Sequence, residues 1–467
     1  MDRSILEKMG SCMKGKNKSE FVYMGMMLVI GIAFFFFLGE SGPIMGADGM
    51  AYLEYTDFNG VMPAYPFFIT VIRFILGETY YLYGVFISQG IIALTCSLYL
   101  VVTVRKNYAL KNWEMVLMFI MSLLPYAYSL PEYVVTHEIM TESLAFSVFY
   151  LFLTCIIKGI SAKELKSILI GAIPLLGLIL LRSQLLFMSV AYLGAILYLC
   201  VNQRLIKNKI VLRKVAGILF LALLIVIATF AIRSQVVGKA KNSQLVNAFF
   251  GKAMYIIDEE DYLYFKDATM QEKCKRLFES MDETGRRWEY AKKGLLKWED
   301  VIVGQNENRK LGNDVLYEYY MDTAPQLSYW EKLELVEADK TVIIKTILVH
   351  NIGDLLKMYL CMLPSGFLCM VFIQKRSIYL LCNIYGAIFY ATYIGLLWKT
   401  HKEGKKKEFE FSLLILAVSA LNVLCTNIIM YGMQRYLVYT FGMLYIAMYM
   451  MLRSLYGRTC RGKTSTI

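Results

Sequence analysis

The ten cysteines of this chain are scattered, mostly inside apolar runs, and none stands in the CxxC spacing of a metal site. Only Cys274 falls in the one long polar segment, so no disulfide forms within it and the thiols read as core residues. No Gly-rich phosphate loop, nucleophile elbow or kinase signature is present, which removes the commonest soluble-enzyme chemistries. Internal repeats of the transporter kind and low-complexity tracts are absent as well. The first apolar run follows a basic stretch (Arg3, Lys8, Lys14, Lys16, Lys18) with no small-residue cleavage site, and so reads as an uncleaved anchor.

Apolar sequence is what the chain has in abundance. Hydrophobic residues make up 57%, aromatics 14%, and the mean hydropathy is +0.49. Several runs reach the roughly 20 residues a helix needs to cross a bilayer. The expected fold class is an all-α polytopic membrane protein. The net charge of +12 does not point to nucleic acid. Arg233–Lys340 holds 20 acidic and 17 basic residues, so the excess of positive charge lies in short loops beside the apolar runs. That is the positive-inside bias of a membrane protein.

Placing the basic loops on the cytoplasmic side predicts ten spans: 21–39, 80–104, 114–130, 139–157, 167–181, 184–201, 215–232, 377–398, 411–430 and 437–452. Both termini then face the cytoplasm. Residues 1–232 form an N-terminal transmembrane module, 233–340 an extracytoplasmic polar region, 341–376 interfacial or re-entrant helices, and 377–467 the C-terminal spans. The assignment of 341–376 rests on parity and on Ile344, Leu348, Ile352, Leu355 and Tyr359, which form an apolar stripe at helical spacing. Charges at helical spacing, such as Glu272/Arg276, predict short helices in the polar region.

In this topology Asp48, Arg73, His137, Glu138, Glu142, Arg182, Arg233, His350 and Arg435 all fall at the outer face. Ionisable groups near spans are costly and tend to be functional, although an interfacial arginine often only snorkels. Several arginines aimed at one face suit an anionic phosphate, which guanidinium grips bidentately. Asp48 has a plain alternative as the N-cap of the helix that follows it. Glu138 and Glu142 share one helix face, where with His137 they could ligate a divalent cation, or Glu138 could simply favour the helix start. No cofactor is otherwise implied, and no metal site is assigned.

Asp48 in the first outer loop, Tyr52 four residues on, and the run Pro63-Ala-Tyr65-Pro66 before an apolar stretch resemble the GT-C superfamily of integral-membrane glycosyltransferases. The likeness is to the bacterial branch of protein O-mannosyltransferases and aminoarabinose transferases. Glu138-Ile-Met-Thr-Glu142 at the start of the fourth span, Leu181-Arg182-Ser-Gln at a tight outer turn, and Gln434-Arg435-Tyr436 before the last span agree in order. The resemblance implies a GT-C-type bundle with juxtamembrane helices and one long, mostly helical outer loop. It implies inverting transfer of a sugar from a polyprenyl-phosphate donor to a glycan, lipid or protein acceptor, at the outer face of the plasma membrane. Asp48 would be the general base, and Arg182 and Arg435 would hold the carrier phosphate. Gly49 stands where some relatives carry a second acid, so Glu138 or Glu142 would supply any second carboxylate. Tyr52, Tyr65, Arg73 and His350 complete the expected substrate-binding set. His350-Asn351 is also similar to the His-Asn pair of O-antigen ligases, which keeps a polymerase or ligase reading open. The third reading is a non-enzymatic transporter or flippase of lipid-linked glycans, which would call for broken helices in related halves.

Overall fold

The computed structural model describes residues 18–39, 42–46, 48–56, 60–203, 209–238, 244–291, 298–372, 379–429 and 434–457. It is built from helices throughout. The only extended pairing among the described residues is two isolated bridges, Gly39 with Tyr133 and Ile44 with Glu138.

Helix α1 (Lys18–Phe37) is followed by a loop that holds the one-turn α2 (Gly49–Leu53). Next comes α3 (Ala64–Tyr108), whose 45 residues are really two helices joined at Gly77. Gly77 sits at φ 72°, in the left-handed region that an L side chain resists. The segment before it carries Phe74 and Ile75 outward, 90% and 66% exposed, as a helix lying along an apolar surface would. Expected only as part of the first outer loop, this stretch is helical from Ala64 onward.

After α4 (Asn112–Ser122) and a 3₁₀ turn (Leu124–Ala127), α5 (Thr141–Ala162) runs through the centre of the bundle. It packs against α3 and against the broken pair α6 (Leu165–Ile170) and α7 (Ala172–Leu181). Next are α8 (Met188–Asn202) and α9 (Lys209–Val236). The apolar window of α9 has none of its residues buried, because its solvent is hydrocarbon and not water.

The polar region folds into α10 (Gln244–Ile256), α11 (Ala268–Glu283), α12 (Trp288–Ala291), α13 (Trp298–Thr323) and α14 (Tyr329–His350). Phe250, Met254, Leu277, Leu316 and Ile343 form its own core. That core continues onto Met358 and Met362 of α15 (Ile352–Cys369) and so joins the polar region to the bundle. The chain closes with α16 (Tyr379–Lys402), α17 (Lys406–Ile429), α18 (Gln434–Leu437) and α19 (Phe441–Tyr456).

Among the described residues nine helices are long and apolar enough to cross a membrane. Eight coincide with predicted spans. Of the other two predicted spans, 114–130 is the 11-residue α4 and a 3₁₀ turn, and 167–181 is a shorter apolar helix interrupted at Gly171. The ninth is Ile352–Cys369, expected to be interfacial. It is one unbroken 18-residue helix that tolerates Pro364 in its interior. Close backbone approach explains part of its packing: a Cβ at Gly366 would come within 2.7 Å of Val423 Cγ1 on α17.

Candidate functional site

The site begins with the short loop after α1. Ile44 N donates to the His137 carbonyl and Ile139 N to the Ile44 carbonyl, both at 2.8 Å. These two bonds pin the loop to the segment that leads into α5. Gly46 lets the loop pass close to the Glu138 side chain: a Cβ there would lie 2.3 Å from Glu138 Oε1 and would push that carboxylate aside. The chain therefore delivers Asp48 to a fixed place beside the N-terminus of α5. Asp48 occupies the N-cap position of α2, yet its side chain makes no capping bond. Its Oδ2 instead accepts from Arg435 Nη2 at 3.3 Å. The capping alternative is thereby set aside.

Glu142, in the first turn of α5, is buried with 1% of its side chain exposed. It is paired with Arg182 Nη1, and Arg435 Nε lies 3.8 Å from the same Oε1. Thr141 Oγ1 donates to the other oxygen at 3.1 Å. The ring of Tyr436 lies 4.8 Å from the Arg182 guanidinium carbon and 4.7 Å from that of Arg435. One aromatic face thus sets two guanidiniums side by side, and each is held by a carboxylate. A buried arginine without such a partner would be very costly. The turn at Arg182 arises because α7 ends there in extended backbone, which turns the side chain back onto α5.

This cluster forms one wall of a cavity of about 570 Å³. Asp48, Tyr52, Arg182, Gln184, Arg435 and Tyr436 line it from the bundle. Across from them, α10 and α13 contribute Gln244, Asn247, Asn306, Arg309 and Lys310. The cavity lies where the apolar bundle meets the polar region. Comparison with protein-family models, with curated proteins and with solved structures finds no match.

Of the residues singled out from sequence, Asp48, Tyr52, Arg182 and Arg435 line the cavity, and Glu142 stands directly behind them. Burial, followed by the Glu142 charge, pushes the Tyr52 hydroxyl up. Glu138 is buried next to the cluster and its carboxyl is pushed up to about 7, first by burial and then by Glu142. Tyr65 is fully buried and donates to Gln89 Oε1 at 2.6 Å, while its ring meets that of Tyr52 edge-on. It supports Tyr52 and does not reach the cavity.

Three expectations are not met by the geometry. Arg73 faces Glu78 at 3.4 Å and the ring of Tyr81, on the juxtamembrane helix away from the cluster. His350 stacks on Tyr264 with ring centroids 3.7 Å apart, and its Nδ1 contacts the Thr346 carbonyl at 2.8 Å. His137 Nε2 contacts the Phe35 carbonyl at 2.9 Å, so its ring is turned away from Glu142. Among the described residues no three His, Cys, Asp or Glu side chains form a group that could hold a metal ion. Arg233 reaches the carbonyls of Gly238 and Thr56 and ties α9 to the first loop. The residues that sequence missed are Gln184, Tyr436, Arg309 and Lys310. Gln184 and Tyr436 carried a signal, as neighbours of Arg182 and Arg435 in their motifs; Arg309 and Lys310 carried none.

Proposed function

We propose that the chain is a glycosyltransferase that moves a sugar from a polyprenyl-phosphate carrier to an acceptor, acting at the extracytoplasmic face of the plasma membrane. The observation that carries this reading is the convergence of Asp48, Glu142, Arg182 and Arg435, from four distant stretches of chain, on one cavity edge. A lipid-linked phosphate enters from the apolar bundle, and a polar acceptor enters from the helical region above it. The position at their junction serves both.

Asp48 is the residue suited to take a proton. Its side chain is 46% exposed, and Oδ1 has no hydrogen-bond partner among the described residues. In the reaction its carboxylate removes the proton of an acceptor hydroxyl, for which it must approach within about 3 Å. The hydroxyl oxygen attacks the anomeric carbon from the side opposite the phosphate, and the bond between that carbon and the phosphate oxygen breaks. The polyprenyl phosphate leaves with the electron pair, and Arg182 and Arg435 stabilise the charge that develops on it. Glu142 keeps both guanidiniums oriented before the substrate arrives. Direct displacement of this kind inverts the anomeric centre.

The test uses purified protein in detergent, a panel of radiolabelled polyprenyl-phosphate sugars and a membrane extract as acceptor. Wild type transfers label and Asp48→Asn does not, while both elute as folded, monodisperse protein. Equal transfer by both would remove Asp48 from the role of base. Movement of intact lipid-linked sugar across liposomes without bond formation would replace the enzyme by a transporter.

A further inference from the structure

The charges around the cavity do not balance. On the bundle wall two carboxylates, Asp48 and Glu142, face two guanidiniums, Arg182 and Arg435, and all four are engaged with one another. On the opposite wall α13 presents Arg309 and Lys310. Neither takes part in any ion pair among the described residues. Glu307, the nearest acid along the helix, is committed to Arg286. Arg309 makes one hydrogen bond, to Asn306 Oδ1 at 3.2 Å, and its buried Nε has no partner. Glu337, behind this wall, is paired with Lys340, so it brings no spare negative charge either. Lys310 is exposed and Arg309 half-buried. What marks this wall is therefore the buried Arg309 Nε left without a protein partner, beside a cavity whose other wall is already neutralised.

We propose that Arg309 and Lys310 bind an anionic group, a carboxylate or phosphate, carried by the acceptor. The inference rests on the glycosyltransferase reading, because that reading gives the bundle wall to the donor. The donor phosphate is met by Arg182 and Arg435, and a polyprenyl-phosphate sugar carries no second charge. The helical wall that holds Arg309 and Lys310 belongs to the polar region, from which a water-soluble acceptor arrives. The acceptor class is therefore acidic: a glycan with uronic acid or phosphate substituents, and not a neutral sugar.

The experiment measures binding and so does not depend on turnover. Full-length protein in detergent, with polyprenyl phosphate present, is titrated with three oligosaccharides of equal length: neutral, uronic-acid-bearing and phosphorylated. Wild type is expected to bind at least one charged oligosaccharide about tenfold more tightly than the neutral one, the scale of a charge-assisted pair. Arg309→Gln with Lys310→Gln loses that preference, and the charge-retaining exchange Arg309→Lys with Lys310→Arg keeps most of it. Glutamine is a good helix former, and neither side chain packs in a core, so the double variant folds. A wild type with no preference overturns the inference, and so does a preference that survives in the Gln variant. The same holds if the double variant instead loses discrimination of polyprenyl diphosphate from monophosphate, since the second charge would then belong to the donor. Failure of the underlying reading looks different: no sugar transfer with any donor, whatever the oligosaccharides do.

Discussion

Two buried glutamates, at opposite poles of the bundle, have nearly the same address and opposite surroundings. Glu142 stands in the first turn of α5, and Glu114 in the first turn of α4. Each meets an arginine from the C-terminal helices, Arg435 and Arg453 respectively. At the Glu114 pole every donor is used by the protein. Arg453 Nε bonds Glu114 Oε1 at 2.8 Å, and its two terminal nitrogens bond the carbonyls of Tyr108 and Ala109. Tyr449 donates to the same Oε1, and Lys111 N donates to Oε2. That pole is a clasp that ties α3, α4 and α19 together, and nothing is left over for a ligand. At the Glu142 pole two guanidiniums share one buried carboxylate in front of an open cavity. A closed network holds the fold; an open one can hold a substrate.

The largest effect should separate the arginines. Arg182→Ala or Arg435→Ala is expected to weaken binding of polyprenyl phosphate by about two orders of magnitude, the cost of removing one charge-assisted partner. Arg453→Ala should leave that binding within about twofold of wild type. Fluorescence titration with the lipid phosphate checks all three, and equal losses at both poles would erase the contrast.

Stability sharpens the same comparison. Glu142→Gln leaves the 12%-exposed Arg182 without its counter-ion, which costs roughly 3–5 kcal/mol. Glu114→Gln does the same to the 25%-exposed Arg453 at a smaller cost. Both variants should melt below wild type. Saturating polyprenyl phosphate should restore much of the loss in Glu142→Gln, because the phosphate can replace the carboxylate beside Arg182. It should add no more to Glu114→Gln than to wild type. A thermal-shift series with and without the lipid decides this, and equal rescue at both poles would mean that the two networks are equally closed.

The bundle was legible in the sequence because apolar runs of about 20 residues leave few alternatives in a bilayer. The exceptions are instructive. Ile352–Cys369 was read as interfacial from a charge-parity argument, yet it forms an unbroken helix of spanning length. Gly366, two residues past Pro364, packs closely against Val423 of α17. In the site, Asp48 and Arg435 lie 387 residues apart and meet through a single bond. Motif order placed both in one region, although no local pattern could show that they touch. Arg309 and Lys310 were invisible for a different reason. Among 37 charges in the polar region, a basic pair looks like any solvated helix face until the fold turns it toward a cavity.

Acidity offers a smaller effect at the edge of the open pole. Glu138 is pushed up to about 7 by burial and by Glu142, against an ordinary carboxylate value of 4.5. The folded state therefore favours the protonated form. Its contribution to stability is complete below about pH 4.5 and is lost as pH rises through about 7. Wild-type melting temperature should fall by a few degrees between pH 5.5 and 8, and Glu138→Gln should flatten that part of the profile. An unchanged slope in the variant would assign the titration to another group.

The smallest effects belong to Arg73 and His350, the two residues that sequence placed at the site and the fold does not. Arg73 forms an ion pair with Glu78, whose side chain is 77% exposed, and such pairs contribute roughly 0–1 kcal/mol. His350 stacks on Tyr264 and lines no part of the cavity. Arg73→Gln and His350→Ala should each keep lipid-phosphate binding and sugar transfer within about twofold of wild type, the change expected of surface substitutions. His350→Ala is the more pointed of the two. A ligase-type mechanism built on His350-Asn351 requires that variant to be inactive while Asp48→Asn remains active. The proposed function expects the reverse, since Asp48 reaches Arg435 and the cavity while His350 stacks on Tyr264 and contacts the Thr346 carbonyl.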